Sequence, residues 1–576
     1  MLGRVLIAVA VVAALAAAPA RAESHRVLLM PGVTYERQVQ FTTYGPVAIH
    51  VVSAPRPGGL WTVRAHAAKD AAQGRERLTS IQERLSREST VAGINGDVFS
   101  VADGRPHGIT LTGGRLLTPP TGDRSSIGFG ADGSLRVERV QFFGTWQGTG
   151  QRRPLTLNGV PGPNGVGLFT PSWGPTTPPV AGALVAVVHP FPTAVPNAEL
   201  RGTVVAVGQN GPVAIPPDGA VLVARGSSVP RLAEEAPPGG GVTVRLLLSP
   251  SWGDVPEAIG GGPLLVRGGR AIFRHGEVFP TTLLQRGPRS AVAQLRDGRI
   301  LLVVVDGKRR GYSVGMTNFD LAQALVRLGA VTAAALDADD SSAMAFDGTL
   351  LSRPSDPSGE RAIANALLVT YAGVYAAPPS EPVLSPNGDG VADATALAYK
   401  LPRPSTVAVD LVGPGGVVRR LDAGAKDAGV YRFSWNGAAP DGSAEREGRW
   451  RLSVSAVDDL GRSSTAERVV ELNRTLGSLS VSPATLRLRA GGPGLAARFR
   501  LTRPARVTGR VETRAGAVVA VLPTRQLRPA GHVLTWNGRT DGRLVHSGSY
   551  VFRVVAVNEL GRAELAAPFA VRRLAG

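Results

Sequence analysis

Two aspartates stand directly after apolar runs that are typical of buried strands. The run from Ile300 to Val305 leads to Asp306, and the run from Ala333 to Leu336 leads to Asp337. Glycosyl transfer through an oxocarbenium-like transition state commonly uses two carboxyl groups. We therefore predict Asp306 and Asp337 as the catalytic carboxyls, acting as acid, base or nucleophile in an order that the sequence does not assign.

Polar and glycine-rich clusters beside other strand-like runs could bind a sugar or an anion. Glycine lets the backbone approach a ligand closely, and arginine meets an anion with a planar pair of donors. Each cluster also has a simpler interpretation: a turn for Asn-Gly, a tight bend for the glycines and a surface position for the arginine. The binding residues predicted from these clusters are Asn95, Gly96, Asp97, Gly261, Gly262, Arg289, Ser341 and Ser342.

The elements that must position these residues are mostly strands. Up to about residue 375, only two stretches show helical periodicity, namely 75–86 and the segment that starts at a Thr317-Asn318 cap and ends at Gly329. Two helices among many strands predict an α+β domain with a mixed sheet. The Val-, Gly- and Pro-rich stretch 136–250 predicts a β-rich subdomain within it.

The last third of the chain repeats itself after a linker-like Ala-Ala-Pro-Pro-Ser stretch at 376–380. Trp435-Asn-Gly and the following Asp441-Gly are echoed by Trp536-Asn-Gly and Asp541-Gly. The offset is about 100 residues, the size of one β-sandwich module. Two all-β modules are therefore expected, with the tryptophans in their cores rather than at a ligand surface.

Composition limits the function classes. The 576 residues carry a formal net charge of +19 and no cysteine, which excludes disulfides and zinc-thiolate sites. The basic residues are mostly arginine and are scattered, so no nucleic-acid partner is expected, whereas an anionic polymer of the cell envelope suits the charge.

The first residues have the pattern of an export signal. Arg4 precedes an apolar run from Leu6 to Ala18, and Ala20-Arg21-Ala22 offers a cleavage site. We predict a signal peptide over 1–22, no transmembrane segment after its cleavage, and a secreted or cell-wall-side protein.

The order of the clusters resembles the phosphodiester glycosidase family over about residues 80–370. The resemblance implies hydrolysis of a glycosyl-1-phosphodiester, releasing sugar and a phosphomonoester, with Arg289 and Arg361 neutralising the phosphate and Asn365 in the site. The repeated β modules resemble the immunoglobulin-like type of the flagellar hook-capping protein. The motifs that carry the family resemblance are Asn95-Gly96-Asp97-Val98-Phe99, Gly260-Gly261-Gly262-Pro263-Leu264-Leu265-Val266, Pro288-Arg289-Ser290-Ala291, Val305-Asp306-Gly307-Lys308, Leu336-Asp337 with Ser341-Ser342, and Arg353 to Leu367.

One loop departs from the family pattern, which has Asp-Gly-Gly-Gly-Ser-Ser where this chain has Asp337-Ala338-Asp339-Asp340 before the serines. Three glycines would let backbone N–H groups cradle a phosphate, whereas the aspartates add negative charge beside an anionic substrate. We expect arginine to compensate, so that no cofactor is required. The alternative is a divalent cation, calcium or magnesium, bound by Asp337, Asp339 and Asp340.

Together these patterns predict a multidomain protein whose α+β catalytic domain, with a mixed sheet, precedes two immunoglobulin-like sandwiches. The expected boundaries are 1–22 for the signal peptide, 23–375 for the catalytic domain, 376–473 for the first module and 474–576 for the second. The expected partner is a phosphorylated glycan or cell-wall polymer. The alternatives are a non-catalytic envelope protein that binds phosphorylated glycan, or an adhesin-like structural protein. The stretch from Ser385 to Asp393 resembles part of a calcium loop, although a plain turn is favoured.

Overall fold

In a computed structural model, the chain forms two compact units, Met1–Ser86 with Val91–Thr370, and Arg87–Thr90 with Tyr371–Gly576. The structure describes residues 24–209, 211–272, 277, 285–489 and 494–573. The predicted signal peptide, residues 1–22, lies outside the described residues. Both units are built predominantly from β-strands.

The first unit contains 26 named strands and three α-helices in its described part. They are β1 (Ser24–Met30), β2 (Val33–Thr42), β3 (Gly45–Ala54), β4 (Trp61–Ala67), α1 (Leu78–Leu85), β5 (Thr90–Asn95), β6 (Thr110–Thr112), β7 (Arg115–Thr118), β8 (Ser125–Phe129), β9 (Leu135–Arg139), β10 (Gln141–Gln147), β11 (Arg153–Pro154), β12 (Thr156–Leu157), β13 (Val166–Phe169), β14 (Leu184–Val188), β15 (Glu199–Gln209), β16 (Ala220–Ala224), α2 (Ser228–Glu235), β17 (Gly241–Ser249), β18 (Glu257–Gly261), β19 (Leu264–Arg267), β20 (Arg270–Ala271), β21 (Arg289–Leu295), β22 (Ile300–Val305), α3 (Asn318–Arg327), β23 (Ala330–Ala335), β24 (Met344–Phe346), β25 (Thr349–Leu350) and β26 (Asn365–Tyr371).

The main sheet has eight strands in the order β1-β2-β3-β22-β21-β23-β19-β20. Every neighbouring pair in it is antiparallel, so the expectation of a mixed sheet is wrong for this sheet. Strands β22 and β23 both run antiparallel to β21, which lies between them, and therefore point the same way. Their carboxyl ends meet at one edge of the sheet, beside the first residue of β21.

The helices follow local signals in the sequence. The helix α3 begins with a capping box in which the Thr317 side chain accepts the backbone N–H of Asp320, and the Asp320 carboxylate accepts the backbone N–H of Thr317. Its apolar side packs on the main sheet through Leu321 and Leu325, which are fully buried. Helix α1 lies within the predicted stretch 75–86, whereas α2 was not predicted and lies in the stretch 136–250 that was expected to be β-rich.

The stretch predicted as a β-rich subdomain forms a second eight-stranded sheet, ordered β11-β10-β17-β15-β14-β16-β13-β12. It is antiparallel except for the parallel pair β12–β13. Its strand β17 alternates buried and exposed residues, as a strand with one solvent-facing side must. Trp146, which is fully buried, belongs to the core of this sheet.

Two smaller sheets complete the first unit, with orders β7-β6-β18-β8-β9 and β25-β24-β5-β26-β4. Strand β5 is buried along its whole length and ends at Asn95, and β18 is buried at four of its five positions and ends at Gly261. These two strands therefore deliver the Asn-Gly-Asp and triple-glycine motifs to the interior.

The second unit consists of two β-sandwiches in succession. Its strands are β27 (Tyr375–Ala376), β28 (Val383–Leu384), β29 (Thr395–Leu401), β30 (Ser405–Val412), β31 (Val418–Lys426), β32 (Gly429–Trp435), β33 (Gly448–Asp458), β34 (Ser463–Leu472), β35 (Leu476–Ser482), β36 (Thr485–Leu488), β37 (Leu495–Leu501), β38 (Ala505–Thr513), β39 (Val518–Val521), β40 (Arg525–Leu527), β41 (Ala530–Trp536), β42 (Arg539–Thr540), β43 (Arg543–Leu544), β44 (Gly548–Asn558) and β45 (Gly561–Arg573).

The sequence repeat corresponds to a structural repeat. Each module pairs a three-stranded sheet with a larger one, and each has one parallel strand pair, β28–β34 or β36–β45. Trp435 and Trp536 are buried, and their indole N–H groups donate to the carbonyls of Ala438 and Arg539, three residues further on. The repeated tryptophans therefore belong to the cores.

The stretch from Ser385 to Asp393, which resembles part of a calcium loop, forms a turn. The carboxylate of Asp393 accepts the backbone N–H groups of Asn387, Gly388 and Gly390, so the calcium-like stretch is organised as a turn by its own aspartate.

In the described ranges, no helix is long and apolar enough to cross a membrane.

Candidate active site

The candidate site lies where β22, β21 and β23 meet at one edge of the main sheet. Asp306 follows β22, Arg289 begins β21 and pairs with Val305, and Asp337 follows β23. Adjacent strands lie about 4.8 Å apart, so two strand spacings separate the backbones that carry the two aspartates by roughly 10 Å. The topology thus brings both predicted carboxyls to one edge.

Asp337 has the environment of a titrating carboxyl. Burial raises its pKa to about 6, with a smaller contribution from the negative charge of Asp97, while hydrogen bonds from Ser341 and from the backbone N–H of Ala338 and the charge of Arg124 oppose the rise. Part of its surface is still accessible to solvent. A carboxyl with a pKa near 6 changes its protonation state close to neutral pH, which is what proton transfer requires.

Asp306 is held quite differently. Its side chain is 1% exposed, and its oxygens accept hydrogen bonds from Tyr312 Oη at 2.8 Å and from the backbone N–H of Arg353 at 3.1 and 3.2 Å. The third partner is His50 Nε2 at 2.8 Å, and the other ring nitrogen of His50 lies 2.8 Å from Tyr35 Oη. Both carboxylate oxygens are thus occupied by the protein.

A buried ion pair stands beside Asp337. Arg124 Nη2 donates to Asp97 Oδ1 at 2.7 Å, and Asp97 Oδ2 accepts the backbone N–H of Gly108 at 2.6 Å. Burial acts to lower the pKa of Arg124, but the charges of Asp97 and Asp337 outweigh it and raise that pKa. Arg124 therefore stays protonated.

Two polar atoms near Asp337 have no protein partner. Within the described part of the chain, Arg124 Nη1 and Ser342 Oγ are buried and make no hydrogen bond. Buried polar groups are normally satisfied, so an exception calls for a water or a ligand. Ser342 is one of the predicted binding residues, whereas Arg124 was not predicted.

Asn95 and Asn365 support the backbone instead of facing a ligand. Asn95 is fully buried, donates to the carbonyl of Asp337 at 2.8 Å and accepts from Ser290 Oγ at 2.6 Å. Asn365, also fully buried, accepts the backbone N–H of Asp97 at 2.8 Å. Asn95 therefore positions the backbone of Asp337, and Asn365 positions the backbone of Asp97.

The predicted glycines are required by close contacts between strands. A Cβ on Gly96 would lie 2.2 Å from Asn365 Oδ1, and one on Gly261 would lie 2.4 Å from Ile127 Cδ1. Gly262 has φ of +126°, and its Cβ would lie 2.5 Å from Glu277 Oε2. Packing thus explains all three glycines without a ligand.

The acidic loop after Asp337 is neutralised by cationic side chains. Lys308 Nζ lies 3.4 Å from both Asp339 Oδ1 and Asp340 Oδ1, Arg289 Nη1 lies 3.8 Å from Asp339, and Arg361 Nη2 lies 3.6 Å from Asp340. Asp339 adopts a left-handed backbone with φ of +59°, at a position where the family pattern has glycine. The predicted phosphate-binding arginines therefore already face carboxylates of the protein.

Arg289 and Arg361 differ in their burial and in the protein groups that bind them. Arg289 is 1% exposed and donates to the carbonyls of Pro288 and Gln285, and burial lowers its pKa to about 10 although Asp339 opposes this. Arg361 is exposed and also contacts Asp356 at 3.2 Å.

The predicted metal ligands Asp337, Asp339 and Asp340 have other partners in the protein. Throughout the described ranges, no group of three or more His, Cys, Asp or Glu residues is arranged to hold a metal ion. The candidate ligands Asp337, Asp339 and Asp340 therefore do not form such a group: the first bonds to Ser341 and Ala338, and the other two face cations.

The residues that sequence reasoning missed include Arg124, His50, Tyr312, Lys308 and Glu277. Glu277 is a buried carboxylate that accepts both the backbone N–H and the hydroxyl of Ser125. A signal existed for Arg124, because Arg124-Ser125 leads into β8 as Arg289-Ser290 leads into β21. His50 is the one titratable residue in the largely apolar strand β3 and gave no such signal.

Comparison with known proteins gives two family matches within the chain. Residues 195–370 match the model of the phosphodiester glycosidase family, and residues 387–459 match the FlgD immunoglobulin-like domain. The resemblance predicted from the motifs is therefore confirmed for these stretches. The first match begins after Asn95, Asp97 and Arg124.

Several solved structures resemble the chain. A hypothetical protein from Synechocystis is 28% identical over 59% of this chain with a TM-score of 0.50, and the match spans 62% of that protein. A Burkholderia pseudomallei protein named as a candidate exported protein is 21% identical, over 58% of this chain and 76% of its own, with a TM-score of 0.47. The catalytic domain of zebrafish N-acetylglucosamine-1-phosphodiester alpha-N-acetylglucosaminidase is 15% identical, over 60% of this chain and 82% of its own, with a TM-score of 0.32. No curated protein sequence matches the chain.

Proposed function

We propose that the first unit hydrolyses a glycosyl-1-phosphodiester linkage in an extracytoplasmic glycan, releasing a free sugar and a phosphomonoester. The family match over 195–370 supports the class of reaction. The observation that carries the proposal is that Asp337, whose pKa burial raises to about 6, lies within the electrostatic influence of Arg124, whose Nη1 lacks a protein acceptor among the described residues.

Asp337 acts as the base in this proposal. A phosphomonoester has its second pKa near 6 and leaves readily, so the step needs positive charge at the phosphate more than it needs a proton donor. Ionised Asp337 takes a proton from water as the water oxygen attacks the anomeric carbon. The bond from that carbon to the phosphate oxygen breaks, and its electron pair leaves on the phosphomonoester.

Arg124 supplies the charge that meets the substrate phosphate. Its Nη2 is fixed by Asp97, which leaves Nη1 as a donor in a buried setting where a hydrogen bond to an anion is strong. Ser342 Oγ is a second donor without a protein partner in the described part of the chain. Each of these two atoms is available to donate a hydrogen bond to an oxygen of the substrate phosphate.

Asp306 takes a positioning role rather than the acid, base or nucleophilic role expected from the sequence. Its oxygens are occupied by His50, Tyr312 and the backbone of Arg353, so it fixes the end of β22 and the loop that begins at Arg353. Asp97 is the second carboxylate beside the substrate, where it orients Arg124.

Export is part of the proposal. The pattern at residues 1–22 supports passage out of the cytoplasm, and the net charge of +19 suits a phosphorylated glycan or cell-wall polymer as the substrate. Nucleic acid is not proposed as a partner.

A second candidate function, binding of phosphorylated glycan without turnover, is favoured by one observation. Lys308, Arg289 and Arg361 are drawn towards Asp339 and Asp340, so the loop that should cradle a phosphate carries its own anions. A substrate phosphate must compete with them.

Turnover separates the two candidates. The purified full chain and its Asp337→Asn variant would be incubated with a panel of sugar-1-phosphodiesters, and free sugar and phosphomonoester would be followed separately. We expect equimolar release of both products by the wild type only. Binding of a phosphodiester without release of either product would establish the second candidate instead.

A further inference from the structure

A cavity of about 450 Å³ opens in the first unit at the far end of β18 from the candidate active site. Strand β18 begins in this cavity at Glu257 and ends at Gly261, which packs against the end of β23. The titratable side chains in its wall are Arg64, His66, Asp70, Arg115 and Glu257.

Two arginines in the wall of this cavity, Arg64 and Arg115, could bind a ligand. Arg64 of β4 is exposed and Arg115 of β7 is half-buried, and within the described ranges neither guanidinium makes an ion pair or a hydrogen bond. Arg84, which lies close by, contrasts with them because it is bound to Asp70 at 2.6 Å and to Glu76 at 2.9 Å. The cavity is therefore lined by two guanidinium groups that have unused N–H donors in the described part of the chain.

The acidic groups of the cavity are already satisfied. Glu257 accepts the backbone N–H of Gly113 at 2.9 Å and that of Ala65 at 3.1 Å, and burial raises its pKa to about 7. Asp70 is shared between Arg84 and His66. The charge of Arg64 lowers the pKa of Glu257 against the effect of burial, so these two groups interact. With Asp70 bound by Arg84, Arg64 and Arg115 still outnumber the single remaining carboxylate, Glu257, and the cavity favours an anion.

A second cavity continues the first. It has a volume of about 340 Å³ and shares Arg115 and Thr193 with the first cavity, and its wall adds Phe191, Ser172 and Asp218. Ligand pockets commonly measure about 300–1,000 Å³, so the combined groove is large enough for more than one small group. Phe191 and the imidazole of His66 are its aromatic rings among the described residues, and so few rings disfavour a nucleic acid that would stack its bases.

We propose that this groove binds a phosphate group of a phosphorylated saccharide, with Arg64 and Arg115 as the ligands of the anion. The identification of that saccharide as a further segment of the substrate polymer rests on the proposed function, whereas the anion site itself does not. The groove would hold a polymer at a phosphate distinct from the one in the scissile linkage.

The test uses hydrogen–deuterium exchange, because it reports separately on this groove and on the active-site loop. The full chain would be measured with inorganic phosphate and with glucose 1-phosphate, as wild type and as the variants R64Q, R115Q and the double variant. The matched control is R231Q, an exposed arginine of α2 outside the groove. Melting temperatures would confirm that every variant is folded.

We expect either ligand to slow exchange in the peptide covering 110–118 in the wild type and in R231Q, with at least a tenfold loss of apparent affinity in the double variant. Equal protection in the double variant, or no protection of that peptide at tens of millimolar phosphate, would overturn the proposal. Protection of this peptide in a protein that releases no sugar would refute the proposed hydrolysis and leave the anion site standing.

Discussion

The ends of β22 and β23 have the same sequence pattern, but the aspartates that follow them have different surroundings. Each strand is largely apolar and is followed by an aspartate, and both aspartates lie at the same edge of one antiparallel sheet. Asp306 is surrounded by His50, Tyr312 and a backbone N–H, whereas Asp337 has two local hydrogen bonds and the charge of Asp97 nearby.

The difference teaches that a strand ending in aspartate determines where a carboxyl lies, but not whether it is available for reaction. Availability depends on donors contributed by distant segments. Asp306 receives its histidine from β3, 256 residues earlier in the chain, whereas the side-chain donor to Asp337 comes from its own loop.

The sharpest way to test this contrast is Asp337→Asn, for which we expect the largest effect. Removing the base should lower the turnover number by about 10³-fold, within the usual range for general base catalysis. Steady-state kinetics on a sugar-1-phosphodiester would measure it. Turnover within a few-fold of the wild type would remove Asp337 from the mechanism.

The same variant should not be less stable than the wild type. Because the folded pKa of Asp337, about 6, lies above its ordinary value of 3.8, the folded state binds the proton more tightly and the wild type loses stability as pH rises from about 4 to 6. The amide that replaces the carboxyl does not ionise, so at pH 8 the variant should gain up to about 2–3 kcal/mol relative to its difference at pH 4. Denaturant unfolding of the first unit at both pH values would measure this.

Asp306→Asn, in contrast to Asp337→Asn, should destabilise the folded protein. An amide cannot accept all three hydrogen bonds of the buried carboxylate, so the free energy of unfolding should fall by about 2–4 kcal/mol. The matched control is Asp297→Asn on the surface, where a change within about 0.5 kcal/mol is expected. If Asp306→Asn abolished turnover and left stability unchanged, Asp306 would be a reacting group as the sequence pattern suggested.

A smaller effect is expected for Arg124→Lys, which keeps the charge next to Asp97 but loses the second donor of the planar group. We expect kcat/KM for a phosphodiester to fall about 10- to 100-fold, in line with the loss of one charged hydrogen bond. An aryl glycoside of the same sugar serves as the control substrate, because it has no phosphate. An equal loss on both substrates would contradict phosphate binding by Arg124.

The smallest effect is expected from removal of metal ions. Since Lys308, Arg289 and Arg361 face the acidic loop, treatment with a chelator should leave turnover and melting temperature within experimental error. Activity that disappears with the chelator and returns with calcium or magnesium would show that a cation, rather than these side chains, neutralises Asp339 and Asp340.

Local signals in the sequence were sufficient for several elements. The cap at Thr317 and the apolar stripe behind it predicted α3, and the repeated Trp-Asn-Gly turns predicted two similar modules. The motif order predicted the family match at 195–370. Each of these signals lies within a short stretch of chain or repeats along it.

What the sequence could not supply was long-range pairing. Strand β3 lies beside β22 across about 250 residues, and this pairing places His50 against Asp306 and makes the sheet wholly antiparallel. The contact of Arg124 with Asp97 and the capture of Asp339 and Asp340 by cations likewise depend on side-chain geometry between distant loops. The different surroundings of Asp306 and Asp337 result from such long-range contacts.

The proposed reaction breaks the bond between the anomeric carbon and the phosphate oxygen. Hydrolysis of a sugar-1-phosphodiester in ¹⁸O-labelled water tests it most directly, with the phosphomonoester analysed by mass spectrometry because its phosphate oxygens do not exchange with water on the time scale of the assay. The account predicts a phosphomonoester without label, since water attacks carbon. Incorporation of one ¹⁸O into the phosphomonoester would mean attack at phosphorus and would contradict the account.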